Sequence, residues 1–489
     1  MRLIKLVEGL QDINFEGNVS NFDVEILNIS IDSRKEAKNT LFICIDGGSV
    51  DSHTLIEEAK ENGAVAIVAE RKVQTSLPLI LVKDTRQALG LLASKFYGEP
   101  SKKMKIIGIT GTNGKTTTSY MLASILKTAG KKVGIIGTLG IDYADKHFPS
   151  SLTTPDPITL HAHFADMGNR GIEYVVMEVS AHALYYKKLA GITFAACIFT
   201  NLTQDHLDFF KTMEEYKAAK LALFSPQKCE IAIVNGDDDT GREINKLREE
   251  MGARTYLYGL TSPADGFALV TDDFLGGIEA VFNLNDNLYR VRLRMIGEHN
   301  VYNALAAASC AQLLGFERSI SRGLANLKDV CGRLQRINRV NGAEIYVDFA
   351  HTPDGLEKSL KTLKKYCVGR LICLFGCGGN RDKSKRGIMG ERAAKYCDFA
   401  LLTSDNPRYE DPLDIINAIE KGYRKISNKY VIIPDREKAI EYALECLGTG
   451  DILLIAGKGG ECYQEIMGIK YPFNDQDMVV KLLEQKGKK

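Results

Sequence analysis

Tryptophan is absent from the 489 residues and proline occurs only 12 times. The longest apolar runs, such as residues 63–69, fall far short of the ~20 residues a membrane helix needs. Neither charge sign is in excess: 63 Lys and Arg stand against 62 Asp and Glu. No global field therefore draws nucleic acid or an anionic membrane, and any anionic ligand must be held by local devices. The 11 cysteines are odd in number, scattered, and form no CxxC pair. That excludes a disulfide framework or a zinc ribbon and points to reduced thiols in a cytoplasm. Cys373 and Cys377, the nearest pair, lie in an apolar strand-like run and read as core thiols. The start, MRLIKLVEGL, lacks the pattern of a signal peptide. The expectation is a cytoplasmic, monomeric enzyme.

What is present is a regular alternation of short apolar strands and helices, the pattern of α/β architecture. Three domains are expected. The first, residues 1–101, has strand-like pieces at 40–45, 64–69 and 79–82, with helices at 55–62 and 87–96, and closes on the turn Gly98-Glu99-Pro100-Ser101. The second, 102–332, has buried strands at 104–110, 132–137, 174–179 and 197–200 and a helix at 115–129. Its more polar alternation over 270–293 predicts antiparallel strands. The third, 333–489, places strands at 370–375, 399–403, 430–433 and 452–455 in a Rossmann-like unit.

Residues 108–117, Gly-Ile-Thr-Gly-Thr-Asn-Gly-Lys-Thr-Thr, follow a predicted strand and open a predicted helix. In that context backbone N–H groups converge on a phosphate. Gly111, Thr112, Asn113, Gly114, Lys115, Thr116 and Thr117 are candidate ATP-binding residues, Lys115 for the β- and γ-phosphates and Thr116 for Mg2+. Ile109 stands where a phosphate loop usually has its first glycine. Glu178, at the end of a buried strand, and His206 suit a hard cation near a phosphate. His161 and His163 lie in a helical stretch and are expected to face solvent. Lys220 reads, from composition, as an ordinary lysine on the helix 215–220.

Taken in order, residues 108–117, 177–184, 200–208, 297–303 and 347–354 resemble the motif set of the Mur ligases, and the likeness spans nearly the whole chain. Asp32-Ser33-Arg34 and residues 47–53 resemble the UDP-binding domain of members acting on a UDP-muramoyl dipeptide. The resemblance implies an ATP- and Mg2+-dependent amide ligase that adds meso-diaminopimelate to UDP-MurNAc-L-Ala-D-Glu through an acyl phosphate. Ser33, Gly48, Ser49 and Val50 would hold the uridine diphosphate. Thr153, Thr154, Ser180 and Lys188 would hold the muramoyl peptide, Lys188 standing where Arg is commoner. Lys220 matches a lysine that takes up CO2 as a carbamate, which turns a cation into an anionic oxygen ligand. With Thr116, Glu178 and His206 it forms the implied metal set; Lys115, Glu178, His206 and Lys220 are the implied catalytic residues. Asn300 and Asn303 match positions near adenine, and Arg333, Asp348 and His351 match other nucleotide contacts.

Asp405-Asn406-Pro407-Arg408 reproduces the motif associated with meso-diaminopimelate. Arg408 can grip its distal carboxylate in a bidentate fork, whereas L-lysine, the alternative amino acid, offers none. Arg381, Gly457 and Glu461 match the remaining amino-acid contacts. The chain departs from the family at Gly460 (usually His), Asn380 (commonly Asp) and Ser52 (commonly Gly). Because an acyl phosphate must be kept from water, the third domain is expected to close over the second about residues 331–333. A motor or transport ATPase would need neither 348–354 nor 405–408. A non-catalytic scaffold would not need Lys115, Thr116, Glu178 and Lys220.

Overall fold

The computed structural model describes residues 1–16, 22–48 and 50–487. The chain divides into two compact units, the first Met1–Gly108, Lys131–Cys197 and Ala222–Glu230, the second Ile109–Gly130, Ile198–Leu221 and Ile231–Lys489.

In the first unit a five-stranded sheet runs in the order Asn14–Glu16, Leu79–Leu81, Ala64–Ala69, Thr40–Ile43, Asn28–Ser30, parallel except at the first strand. The continuous apolar run Ala64–Ala69 fits a parallel strand covered on both faces. The helix Thr85–Phe96 starts where Asp84 accepts the Gln87 N–H, and buries Ala88, Leu89, Leu92 and Ala93. A second group of strands pairs Val133–Gly137 with Tyr174–Glu178 in parallel and adds the antiparallel Gly140–Tyr143 and Lys146–Phe148.

The helix Pro157–Asn169 corrects one expectation. His161 is fully buried within the stripe Pro157, Leu160, Phe164 and Met167, because its position falls on the inner face of the helix. Burial pushes its pKa down to about 4, so it packs as a neutral ring. His163 is half-buried, its Nδ1 3.1 Å from the Tyr143 hydroxyl.

In the second unit, residues 232–235 of the strand Cys229–Asn235 pair in parallel with Thr255–Gly259, which pairs with Gly266–Phe274; Gly277–Leu284 and Asn287–Leu293 follow as antiparallel hairpins. The second hairpin turns at Asn285 and Asp286, both at positive φ (46° and 63°), as a tight two-residue turn requires. The antiparallel reading of 270–293 is borne out.

The C-terminal sheet of this unit has the order Gln335–Val340, Ala343–Asp348, Ile452–Ala456, Leu371–Phe375, Phe399–Leu402, Tyr430–Ile432, parallel after its first strand. Side chains alternate between two cores: Leu371, Cys373 and Phe375 pack with Leu356 and Met389, while Ile372 and Leu374 pack with Ile440 and Val479. Cys373 and Cys377 are core thiols, Cys377 lying 3.6 Å from the Met389 sulfur. Loops at 348–352, 376–383, 403–411 and 457–462 all leave the C-terminal edge of the parallel strands, where such sheets bind ligands. No described helix is long and apolar enough to cross a membrane.

One ion pair fastens that edge from behind. Arg436 and Asp475 have fully buried side chains and bond in bidentate fashion at 2.7 and 2.8 Å. The same guanidinium donates to the Ser404 carbonyl (3.2 Å) and the Ala456 carbonyl (3.1 Å). Asp475→Ala leaves this charge unpaired and is expected to lower stability by about 3–5 kcal/mol. The paired change Arg436→Met with Asp475→Leu should lose far less; urea unfolding of both variants checks this.

Candidate active site

The phosphate turn joins strand Lys105–Thr110 to helix Lys115–Thr128. Gly111 (φ 147°) and Gly114 (φ 87°) adopt conformations that favour glycine. A Cβ on Gly111 would sit 1.9 Å from Thr200 Oγ1, and one on Gly114 would sit 2.3 Å from Asn303 Oδ1. Two other segments therefore lie directly on the turn. From one, Asn201 O accepts the Thr112 N–H (2.8 Å) and Asn201 Oδ1 accepts the Asn113 N–H (3.0 Å). From the other, helix Glu298–Leu313 brings buried Asn300 and Asn303, bonded to each other at 3.1 Å, against Gly114. Lys115 Nζ donates to the carbonyls of Gly111 and Thr112, both at 2.9 Å. Thr116 and Thr117 are buried at the start of the helix.

Lys220 sits in helix Met213–Leu221 with 1% of its surface exposed. Its Nζ donates to Gly111 O at 2.9 Å and lies 4.4 Å from the centroid of the Tyr216 ring. Burial, reinforced by the Lys115 charge, holds its pKa well below the usual lysine range despite Asp205. It is no ordinary surface lysine. His206 (φ 57°) places Nε2 3.4 Å from Asp205 Oδ2. Asp205 is buried and also faces His351 Nε2 at 3.6 Å and Lys385 Nζ at 3.7 Å. Burial opposes its charge, but contact with His351 and the charges of His206, His351 and Lys385 outweigh that, so its pKa lies well below the carboxylate range.

These contacts join the phosphate turn to the C-terminal sheet inside one unit. Arg333 stacks on Phe349 at 4.5 Å and donates Nη2 to Thr116 Oγ1 at 2.8 Å. Asn113 Nδ2 donates to Asp354 Oδ2 at 2.9 Å. Asp348 is buried, accepting the Ala350 N–H and the Ser359 hydroxyl; burial raises its pKa, partly offset by Arg333. His351 Nδ1 contacts the Phe349 carbonyl at 2.8 Å.

At the adjoining edge, the loops 376–383, 403–411 and 457–462 are interlocked. Asp405 packs over Gly457 (φ 113°), where a Cβ would meet Asp405 Oδ2 at 2.4 Å. Pro407 O lies 1.9 Å from a Cβ on Gly379. Asn406 Nδ2 donates to Glu461 Oε2 at 2.9 Å, and fully buried Lys458 donates to Asn406 Oδ1 (3.0 Å) and Glu461 Oε2 (3.1 Å). Arg408 donates Nη1 to Gly379 O at 2.8 Å. Arg381 is exposed, close to Gly378. At the departure positions, Asn380 Oδ1 accepts the Tyr409 N–H, and Gly460 lies against Gly332, whose Cβ would meet its nitrogen at 2.1 Å.

A separate cluster lies in the first unit. Glu178, 1% exposed, accepts the Thr138 N–H (2.9 Å) and the Thr138 hydroxyl (3.1 Å). Thr153 Oγ1 is 3.2 Å from the same hydroxyl. Thr154 donates to Glu178 O and accepts the Ser180 N–H; Ser180 in turn caps the helix Ala181–Tyr185. Lys188 Nζ lies 3.5 Å from Thr154 O, and burial lowers its pKa. Further toward the N-terminus, the Ser33 hydroxyl donates to Glu58. The hairpin carrying Gly48 and exposed Val50 is pinned by Ser52, whose hydroxyl bonds both the N–H and the carbonyl of Ile45. Ser49 lies outside the described residues.

Sequence reasoning missed Thr138, Asp205, Lys385 and Lys458 as site residues. Asp205 lies inside the motif segment 200–208 and Lys458 between the matched residues Gly457 and Glu461, which was the available signal; Thr138 and Lys385 had none. The turn geometry makes a testable demand: Gly111→Ala should weaken ATP binding at least about tenfold, since an alanine at positive φ is strained and its methyl would displace Thr200. Calorimetric titration with ATP checks this.

Comparison with known proteins agrees with this geometry. The Mur ligase middle domain matches residues 109–311, the Mur ligase glutamate ligase domain matches 332–459, and the Mur ligase family catalytic domain matches 25–97. The chain is 42% identical over 492 residues to the UDP-N-acetylmuramoyl-L-alanyl-D-glutamate--2,6-diaminopimelate ligase of Syntrophomonas wolfei, covering 99% of this chain and 100% of that one. It is 41% identical over 488 residues to the corresponding ligase 1 of Clostridium acetobutylicum, with 99% and 100% covered. A solved structure of a ligase with that name superposes with a TM-score of 0.69 at 32% identity, covering 94% and 95%. MurF from Acinetobacter baumannii shares the fold, with a TM-score of 0.65 at 21% identity over 94% of each chain. Matched along three successive domains and by relatives across its full length, the chain belongs to the Mur ligase family.

Proposed function

We propose that this chain is an ATP-dependent ligase that adds meso-diaminopimelate to UDP-MurNAc-L-Ala-D-Glu in peptidoglycan precursor synthesis. The observation that carries the reading is Arg408, a guanidinium held by the Gly379 carbonyl in a loop cluster that belongs to the same compact unit as the phosphate turn. A bare ATPase has no use for it. The domains are taken as 1–101 for the UDP-muramoyl substrate, 102–332 for ATP and 333–489 for the amino acid. The reduced thiols suit the cytoplasm, and the enzyme is taken to act as a monomer.

The D-glutamyl γ-carboxylate attacks the γ-phosphorus of ATP, ADP departs, and an acyl phosphate forms. The amine of the incoming amino acid then adds to the acyl carbon. The tetrahedral intermediate loses a proton from nitrogen and expels phosphate, leaving the amide. Lys115 and the N–H groups of residues 111–117 bind the phosphates and take up the spreading charge. Arg333, already bonded to Thr116, brings a second cation to the same place. Asn300, Asn303, Asp348 and His351 hold the nucleotide. Arg408, Arg381, Asp405, Asn406, Pro407, Gly457 and Glu461 hold the amino acid, and good alignment of its amine supplies on the order of 7–11 kcal/mol. In the first unit Ser33, Gly48, Ser49 and Val50 take the UDP, and Thr153, Thr154, Ser180 and Lys188 the peptide.

The second unit suits Mg2+ chemistry on one observation: a buried lysine amine, depressed in pKa, bonded to a carbonyl of the phosphate turn. A neutral amine is the form that reacts with CO2. The resulting carbamate would pair with Lys115, and with Thr116 and His206 would offer oxygen and imidazole ligands. Bound there, Mg2+ supplies charge neutralisation at the phosphates. Glu178 keeps its proposed metal role from its place at a strand end and from the family resemblance.

Phosphate release with ATP, Mg2+ and UDP-MurNAc-L-Ala-D-Glu should require meso-diaminopimelate and not respond to L-lysine. Arg408→Ala should lower kcat/KM for meso-diaminopimelate by about 100-fold or more. Release with L-lysine instead would overturn the amino-acid assignment, and release indifferent to both would leave an ATPase. Separately, protein equilibrated with 13C-bicarbonate should show a carbamate resonance that Lys220→Arg lacks. Its presence should decline as pH falls, because protonating Lys220 removes the reactive amine.

A further inference from the structure

The hairpin Tyr463–Ile466 and Ile469–Pro472 follows the Gly457–Glu461 loop and grips the Asp405–Arg408 segment along its length. Arg408 N–H donates to Glu465 O (3.0 Å), and Met467 N–H donates to Arg408 O (2.7 Å). Glu465 N–H donates to Asn406 Oδ1 at 2.9 Å, and Gln464 Nε2 donates to Asp405 O at 2.7 Å. Arg408 thereby holds a backbone conformation, φ 52°, that non-glycine residues rarely adopt.

The side chains continue the grip. Arg408 Nε donates to Glu465 Oε2 at 3.1 Å while Nη1 donates to Gly379 O at 2.8 Å. The two side chains are 17% and 20% exposed, so the pair is sheltered from water and less screened than a surface pair. A Cβ on Gly378 would lie 3.0 Å from Nη1, so the absence of a side chain there admits the guanidinium. Among the described residues Nη2 has no partner. Two of the three guanidinium nitrogens are occupied by protein, and the plane is fixed before a ligand arrives. A carboxylate ligand must then be met end-on through Nη2 and the remaining N–H of Nη1, because Glu465 blocks the Nε edge.

We propose that Glu465 is a positioning residue that sets the amino-acid preference of this enzyme by fixing the orientation of Arg408. The inference rests on the reading of Arg408 as the anchor for the amino acid's distal carboxylate. Glu465 acts through Arg408 and touches neither ATP nor the muramoyl peptide. Pre-ordering a long, rotamer-rich side chain removes an ordering cost from binding, and its loss weakens affinity by about tenfold.

The test compares Glu465→Leu and Glu465→Gln with the wild type in steady-state kinetics, with thermal unfolding measured alongside. Glu465→Leu should raise KM for meso-diaminopimelate about tenfold, leave kcat and the KM for ATP within about twofold, and narrow the kcat/KM preference over L-lysine. Glu465→Gln keeps an acceptor oxygen for Nε and should restore most of the affinity. An unchanged KM in Glu465→Leu overturns the proposal, and so does a fall in kcat with every substrate or a loss of fold. If the wild type does not use meso-diaminopimelate, the functional reading fails by itself. The same variants assayed with the amino acid the wild type accepts then decide for Glu465: a raised KM supports positioning, an unchanged one excludes it.

Discussion

The second unit is assembled on the turn between strand Lys105–Thr110 and helix Lys115–Thr128. Gly111 and Gly114 carry no side chain, and that space is filled by Thr200 and Asn303 from distant parts of the sequence. The turn's carbonyls are engaged as well: Gly111 O accepts both Lys115 and Lys220. A Cβ at either glycine would push away a segment carrying candidate residues. The arrangement binds an anion through N–H groups at a helix start, and it also fixes where Lys220 must lie. Burying a lysine amine beside Lys115 disfavours its charge. A lysine amine of depressed pKa at the phosphate turn is thus a consequence of packing rather than of local sequence.

From that turn the contacts run outward into the C-terminal sheet. Arg333 reaches Thr116, Asn113 reaches Asp354, and Asp205 gathers His206, His351 and Lys385 around one buried carboxylate. Such a carboxylate is tolerable only because the surrounding charges offset its desolvation. His351 reaches it from the loop after the parallel strand Ala343–Asp348, and Lys385 from the helix Ser384–Tyr396 that follows the strand Leu371–Phe375. Arg436 and Asp475 hold the C-terminal ends of two parallel strands together from the interior. Rigid strands and a buried ion pair thus present flexible residue types, Arg381 and Arg408, on loops of defined shape.

Much of this was legible in the sequence. The apolar runs at 64–69, 370–375 and 452–455 read as strands because parallel strands covered on both faces are continuously apolar. The Gly-rich turn was legible because its chemistry needs glycines next to a helix start. The helix holding His161 misled, since a polar residue type was weighed above its position on the inner face. Lys220 was invisible to composition. Nothing in its own segment shows that Gly111 O waits 109 positions earlier in the chain.

The sequence by itself determined the α/β class, the phosphate turn, and the family resemblance with its motif residues. Each depends on residues close together in the chain, where periodicity and glycine placement act directly. Only the tertiary structure decided which charged and polar groups face each other: Glu465 on Arg408, Lys458 on Glu461 and Asn406, and Lys385 with two histidines on Asp205. Such pairings are made across loops whose meeting is set by strand order. A side chain's charge state and open edge follow from what is packed against it, which sequence spacing does not encode.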